Sequence, residues 1–96
     1  MATIVPRAIE SECITGDTSI KDSPGVVYAV VLAGGSDAAT LTLYDNTAAA
    51  GERELFLAAA AGTSEAFCPV GVGMKFSTAI YADISGTAAY ATILYE

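Results

Sequence analysis

The sequence predicts an all-β chain, a small antiparallel β-sandwich of jelly-roll-like design, and three observations carry that expectation. Short runs such as "TLTLYD" and "IYADI" alternate apolar and polar residues with period two, the spacing of a strand with one covered face. Gly, Pro, Asn or Asp interrupts these runs every several residues, as in sandwiches and barrels. The longest uncharged run, "VVYAVVLA", is built of β-branched and aromatic residues that favour strands.

Residues 1–10, "MATIVPRAIE", show no period and contain Pro6, so they read as an N-terminal arm ahead of a single domain over residues 11–96. Strand-like pieces follow at Cys13–Thr15 and Thr18–Lys21, parted by Gly16-Asp17, a dipeptide suited to a tight turn. After Ser23-Pro24-Gly25 comes Val26–Ala33, apolar on both faces and stopped by Gly34-Gly35. Such a strand requires cover on both faces, from a second sheet or from another subunit. In "TLTLYD", Leu41 and Leu43 oppose Thr40, Thr42 and Tyr44, and Asp45-Asn46-Thr47 makes an Asx-type turn.

The stretch "ERELFLAAAA" consists mainly of helix-favouring residues. As a helix it would be apolar around its whole circumference from Leu55 onward. It therefore reads as a strand over residues 52–59, with Leu55 and Leu57 inward and Glu54 and Phe56 outward, a short helical turn within 47–61 being the alternative. "SEAFCPV" is a short strand ended by Pro69, and "GVG" a turn. "MKFSTAIYADI" sets Ile80, Ala82 and Ile84 against Tyr81 and Asp83. Ser85-Gly86-Thr87 turns the chain into a last strand with Tyr90, Thr92 and Leu94 opposite Ala91, Ile93 and Tyr95.

Composition narrows the function. Of the 96 residues 53% are hydrophobic and only 16% charged, against about 25% charged in typical domains, so Ala, Gly, Ser, Thr and Tyr must form much of the surface. A surface so poor in charge predicts an obligate partner or self-association. The net charge of −7, with Arg7, Lys21, Arg53 and Lys75 as the cations, argues against nucleic-acid partners and anionic membranes. Pro6 and Arg7 cut short any apolar core of a signal peptide, and "GVVYAVVLAGG" is about half of a membrane span, so a soluble cytoplasmic product is expected.

Chemistry is sparsely provided. Without His the usual general base and metal ligand is absent, "GGSD" lacks the pattern of a nucleophile elbow, and "GVGMKFS" lacks that of a phosphate loop. The carboxylate combinations Glu10/Glu12, Glu52/Glu54 and Asp45/Asp83 read as solvated charges rather than calcium ligands or paired acids. Cys13 and Cys68 read as small buried hydrophobes, with a bridge between them as the alternative, and two thiolates alone do not complete a zinc site. No catalytic residue, cofactor or metal is expected.

The aromatics are more telling. Tyr44, Phe56, Tyr81 and Tyr90 fall at outward strand positions, where tyrosine's apolar body and polar tip suit an interface; the alternatives are that the tyrosines merely cover sheet edges or, with the parity shifted by one residue, belong to the core.

Taken together, "SPGVVYAVVLAGGSDAATLTLYDNTAAAG" and "FCPVGVGMKFSTAIYADISGTAAYATILYE" resemble small β-sandwich virion structural proteins of tailed bacteriophages, the cyanophage-type head decoration or cement proteins, over about residues 23–96. The shared elements are the Pro-Gly before a long apolar strand, the "LYDNT" turn, the "KFSTAIYADI" strand and an aromatic-rich last strand. The resemblance implies a non-enzymatic protein, made in the host cytoplasm, that sits on the capsid surface as a homotrimer and stabilises the major capsid protein lattice. It also implies a reaching arm, whose contacts here would be Ile4, Val5, Pro6 and Arg7, with a disordered terminus as the alternative. A neck, tail or fibre-associated subunit is the second reading. A glycan-binding module with Tyr81 and Tyr90 as its stacking platform is the third, and a free-standing enzyme a distant fourth.

Overall fold

In the computed structural model, which describes residues 9–68 and 73–96, the chain is all-β: two antiparallel sheets pack face to face around one core. The strands are β1 (Glu10–Ile14), β2 (Thr18–Lys21), β3 (Gly25–Ala33), β4 (Ala39–Tyr44), β5 (Arg53–Ala59), β6 (Ser64–Phe67), β7 (Met74–Phe76), β8 (Ile80–Ser85) and β9 (Tyr90–Tyr95). The five-stranded sheet runs β1-β9-β3-β6, with β7 also on β3, and the four-stranded sheet runs β2-β8-β4-β5. Residues 1–8, including Ile4, Val5, Pro6 and Arg7, lie outside the described residues, as do Pro69 and most of the "GVG" turn. Glu10, placed in the arm by sequence, opens β1.

Alternation puts one side of every long strand into the core. From the five-stranded sheet come Ile14, Val27, Val30, Leu32, Phe76, Ala91 and Ile93; from the other come Ile20, Leu41, Leu43, Ile80, Ala82 and Ile84. The helix-favouring segment is strand β5, because Leu57 and Leu55 stand beside Leu41 and Leu43 in register and join the core's edge. Burial of leucines against a formed sheet outweighs a propensity difference of a few tenths of a kcal/mol per residue.

The run "MKFSTAIYADI" is two strands rather than one. β7 pairs with β3 and β8 with β2 and β4, so the chain crosses from one sheet to the other at Ser77–Ala79. Asp45 secures this crossover. Its Oδ2 accepts from the Ser77 amide (3.1 Å) and hydroxyl (2.9 Å), and its Oδ1 from the amides of Thr78 (2.7 Å) and Ala79 (3.3 Å). These donors, the Thr78 amide first, hold the Asp45 carboxyl below its ordinary value. Asn46 next to it bonds back to the local backbone without the bond two residues on that defines an Asx turn: its Oδ1 accepts from the Thr47 amide (2.7 Å), and its Nδ2 donates to the Ala50 carbonyl (2.9 Å).

Gly35 lies where three loops meet. Its carbonyl accepts from the Gly62 amide (3.0 Å), and an added Cβ would lie 2.4 Å from the Thr87 carbonyl oxygen. Only a residue without a side chain fits there.

Cys13 and Cys68 correct the sequence reading. Both are exposed free thiols, because Cys13 falls at an outward position of β1, paired with Thr92, and Cys68 follows the edge strand β6.

Candidate functional site

The outer faces of the two sheets are the surfaces on which partner binding can be built, and cross-strand register decides what each displays. On the four-stranded sheet, Tyr44 and Tyr81 are direct partners on β4 and β8, and Ser19 of β2 continues that row. In the next row Thr42 is buried between Phe56 and Asp83, its register partners. Thr40 follows, its hydroxyl 2.6 Å from that of Ser85. Phe56 is 59% exposed. The face is thus aromatic at its centre with hydroxyls beside it.

Carboxylates edge this face. Asp83 lies beside Asp17, whose Oδ1 accepts from the Ile84 amide at 3.0 Å. Burial first, and then the hydrogen bond and negative charge of Asp17, push the Asp83 carboxyl above its ordinary value. Asp45, which sequence groups with Asp83, is committed instead to the Ser77–Ala79 crossover. Among the described residues no three His, Cys, Asp or Glu side chains converge as a metal site.

The five-stranded sheet displays something different. Its central outward row is Cys13, Thr92, Val31 and Ala66; on one side lie Ser11, Leu94 and Ala29, on the other Tyr90, Ala33 and Ser64. Val31 is 44% exposed, Leu94 37% and Tyr90 51%. Ile9, at 47%, continues the parity of Ser11 just ahead of β1. Of the five large hydrophobic side chains exposed among the described residues, Phe56 alone lies elsewhere. No charged side chain points outward from β1, β9, β3 or β6; Lys75, paired with Val26 on the short β7, stands at one corner.

Tyr44, Phe56 and Tyr81 therefore share one face, as their outward parity implies, whereas Tyr90 sits on the opposite side of the sandwich. A stacking platform made of Tyr81 and Tyr90 together does not exist, since β8 and β9 belong to different sheets. Sequence reading left Val31, Leu94 and Ala66 unnamed as site residues. Their signal was the doubly apolar run Val26–Ala33: the four-stranded sheet covers one side of β3, and the other side keeps Val31 exposed.

At one end of the sandwich a cavity of about 350 Å³ is lined by Lys21, Pro24, Val26, Lys75, Phe76 and Glu96. Two of the chain's four cations meet there with apolar walls and a carboxylate, without a nucleophile. No helix of the described residues is long and apolar enough to cross a membrane.

Comparison of the chain with protein-family models, with curated proteins and with solved structures finds no match.

Proposed function

We propose that this protein is a non-enzymatic structural subunit of a phage virion, a head decoration or cement protein that binds the major capsid protein lattice and associates with copies of itself. The observation that carries the reading is the uncharged outward face of β1, β9, β3 and β6, with Val31, Leu94 and Tyr90 exposed on a chain that is already poor in charge. Exposed apolar faces of this kind mark protein contact surfaces. The acid-edged aromatic face of the other sheet, with Tyr44, Phe56 and Tyr81, supplies a second and chemically distinct surface. One sandwich with two adhesive faces is suited to bridging neighbours on a lattice. A subunit that binds only the assembled shell stabilises it by linkage, without cofactor or reaction.

Quantitative mass spectrometry of purified virions tests the reading. Copy numbers comparable to those of the major capsid protein are expected. A few copies per particle would move the protein to the neck, tail or fibre, and absence from particles would overturn the virion reading.

A further inference from the structure

We infer that the outward face of β1, β9, β3 and β6 is a homotypic interface on which a second copy of this chain seats sheet against sheet about a two-fold axis. The proposal deepens the self-association named above and rests on that reading for its biological setting.

Charge selects the occupant. None of the eleven carboxylate side chains stands at an outward position of β1, β9, β3 or β6; Glu96, just past β9 and bonded backbone to backbone with Val26, sits with Lys75 at one corner. Glu10, Glu12 and Glu65 occupy the inward parity of β1 and β6, opposite Tyr95, Ile93 and Leu32. Asp17, Asp22, Asp37, Asp45, Glu52 and Glu96 lie between or beyond strands, and Glu54 and Asp83 belong to the other sheet. A second copy brings another −7. Against the four-stranded sheet it would set Glu54, Asp83 and Asp17 against their own kind, and like charges brought together and dehydrated repel. On the five-stranded sheet the same copy meets no carboxylate but Glu96, beside Lys75 at the corner, so this surface is complementary to itself. A strongly charged foreign partner, by contrast, finds no counter-charge there except Lys75 and Glu96 at the corner.

Shape agrees. Ala29, Ala33, Ala66, Ser11 and Ser64 keep the face low around Val31 and Leu94, which lets two sheets approach to about 10 Å, the ordinary spacing of stacked sheets. Four strands about 4.8 Å apart and about six residues long give a face of roughly 400 Å² per copy, or about 800 Å² per pair, which belongs to weak and reversible association. A flat, self-complementary face closes as an isologous pair, which departs from the three-fold association that the resemblance implies.

Sedimentation velocity from about 10 µM to about 1 mM tests the pairing across the range of weak complexes. Wild-type protein should pass from monomer to dimer with rising concentration. Leu94→Glu should weaken dimerisation at least tenfold, whereas Phe56→Glu, with the same change of net charge on the other face, should leave it unaltered. Ala66→Glu, at an exposed edge position, provides the same test if Leu94→Glu fails to fold by circular dichroism. Alkylation of Cys13 should slow as the dimer forms. A monomer at every concentration, a trimer, Cys13 labelling that ignores concentration, or loss of the dimer in Phe56→Glu alone would each overturn the proposal. Virion copy number is independent of these results, so a failed dimer leaves the decoration reading standing, and a dimer absent from virions removes only the setting.

Discussion

The outer faces of the two sheets follow one rule of alternation and reach opposite chemistries. On the five-stranded sheet the outward positions hold Ala, Ser, Thr, Cys, Val, Leu and Tyr; on the four-stranded sheet they hold an aromatic cluster with Asp83 and Glu54 among hydroxyls. Solubility is carried unequally, with the acids on the loops, on the outer face of the four-stranded sheet and at the inward parity of β1 and β6, while the outward positions of the five-stranded sheet are left bare. The difference teaches that net charge does not describe the surface of this protein. A chain at −7 still presents a neutral face to a like-charged copy, and reserves its negative field for a partner with cations or hydrogen-bond donors to offer.

The comparison presupposes that a single core carries both faces. Leu41→Ala, fully buried beneath the four-stranded sheet, should cost about 2–5 kcal/mol in urea unfolding and should loosen both faces together, since cavity formation in a shared core is felt by both layers. Unfolding in two separate transitions would break the comparison at its base.

A smaller effect is expected where the chain crosses between the sheets. The Asp45 carboxyl is held below 3.8 by the amides of Ser77–Ala79. Its contribution is therefore complete above the unfolded value and is lost as pH falls through the folded one. Asp45→Asn should lower the urea midpoint at neutral pH and flatten the decline of stability in acid. An unchanged acid limb would show that the crossover is held by something else.

The smallest effect should have the opposite sign. The Asp83 carboxyl is raised above 3.8 by burial and by Asp17, so its contribution is present below the unfolded value and is lost as pH rises through the folded one. Asp17→Asn keeps an acceptor for the Ile84 amide and removes the like charge. The variant should be slightly more stable than wild type at neutral pH, and the difference should shrink as pH falls through the folded value of Asp83, as read by urea midpoints. A loss of stability at neutral pH would mean that the negative charge of Asp17 serves the Ile84 contact more than it harms Asp83.

Much of the architecture was legible residue by residue. The turn at Gly16-Asp17, the alternation of Leu41 and Leu43 and of Ile80, Ala82 and Ile84, and a strand within residues 52–59, found over Arg53–Ala59, all appear where sequence puts them. The outward side chains Tyr44, Phe56, Tyr81 and Tyr90 were also legible as outward, since period two needs no knowledge of neighbours. Cys13 was misread as buried because cysteine's average preference for the interior says nothing about an outward position on an edge strand. The break at Ser77–Ala79 was hidden because its cause, Asp45, lies more than thirty residues earlier in the chain.

From sequence alone come the all-β class, the facing of most strand residues and the poverty of charge, because alternation, turn chemistry and composition are local properties. Tertiary structure alone decided that Tyr81 and Tyr90 part company, that Asp83 meets Asp17, and that Val31, Leu94 and Tyr90 gather on one uncharged face. The physical reason is that β1 pairs with β9 and β3 with both β9 and β6 across long stretches of chain. Strand pairing of that kind is selected by the core as a whole, and no window of neighbouring residues contains it.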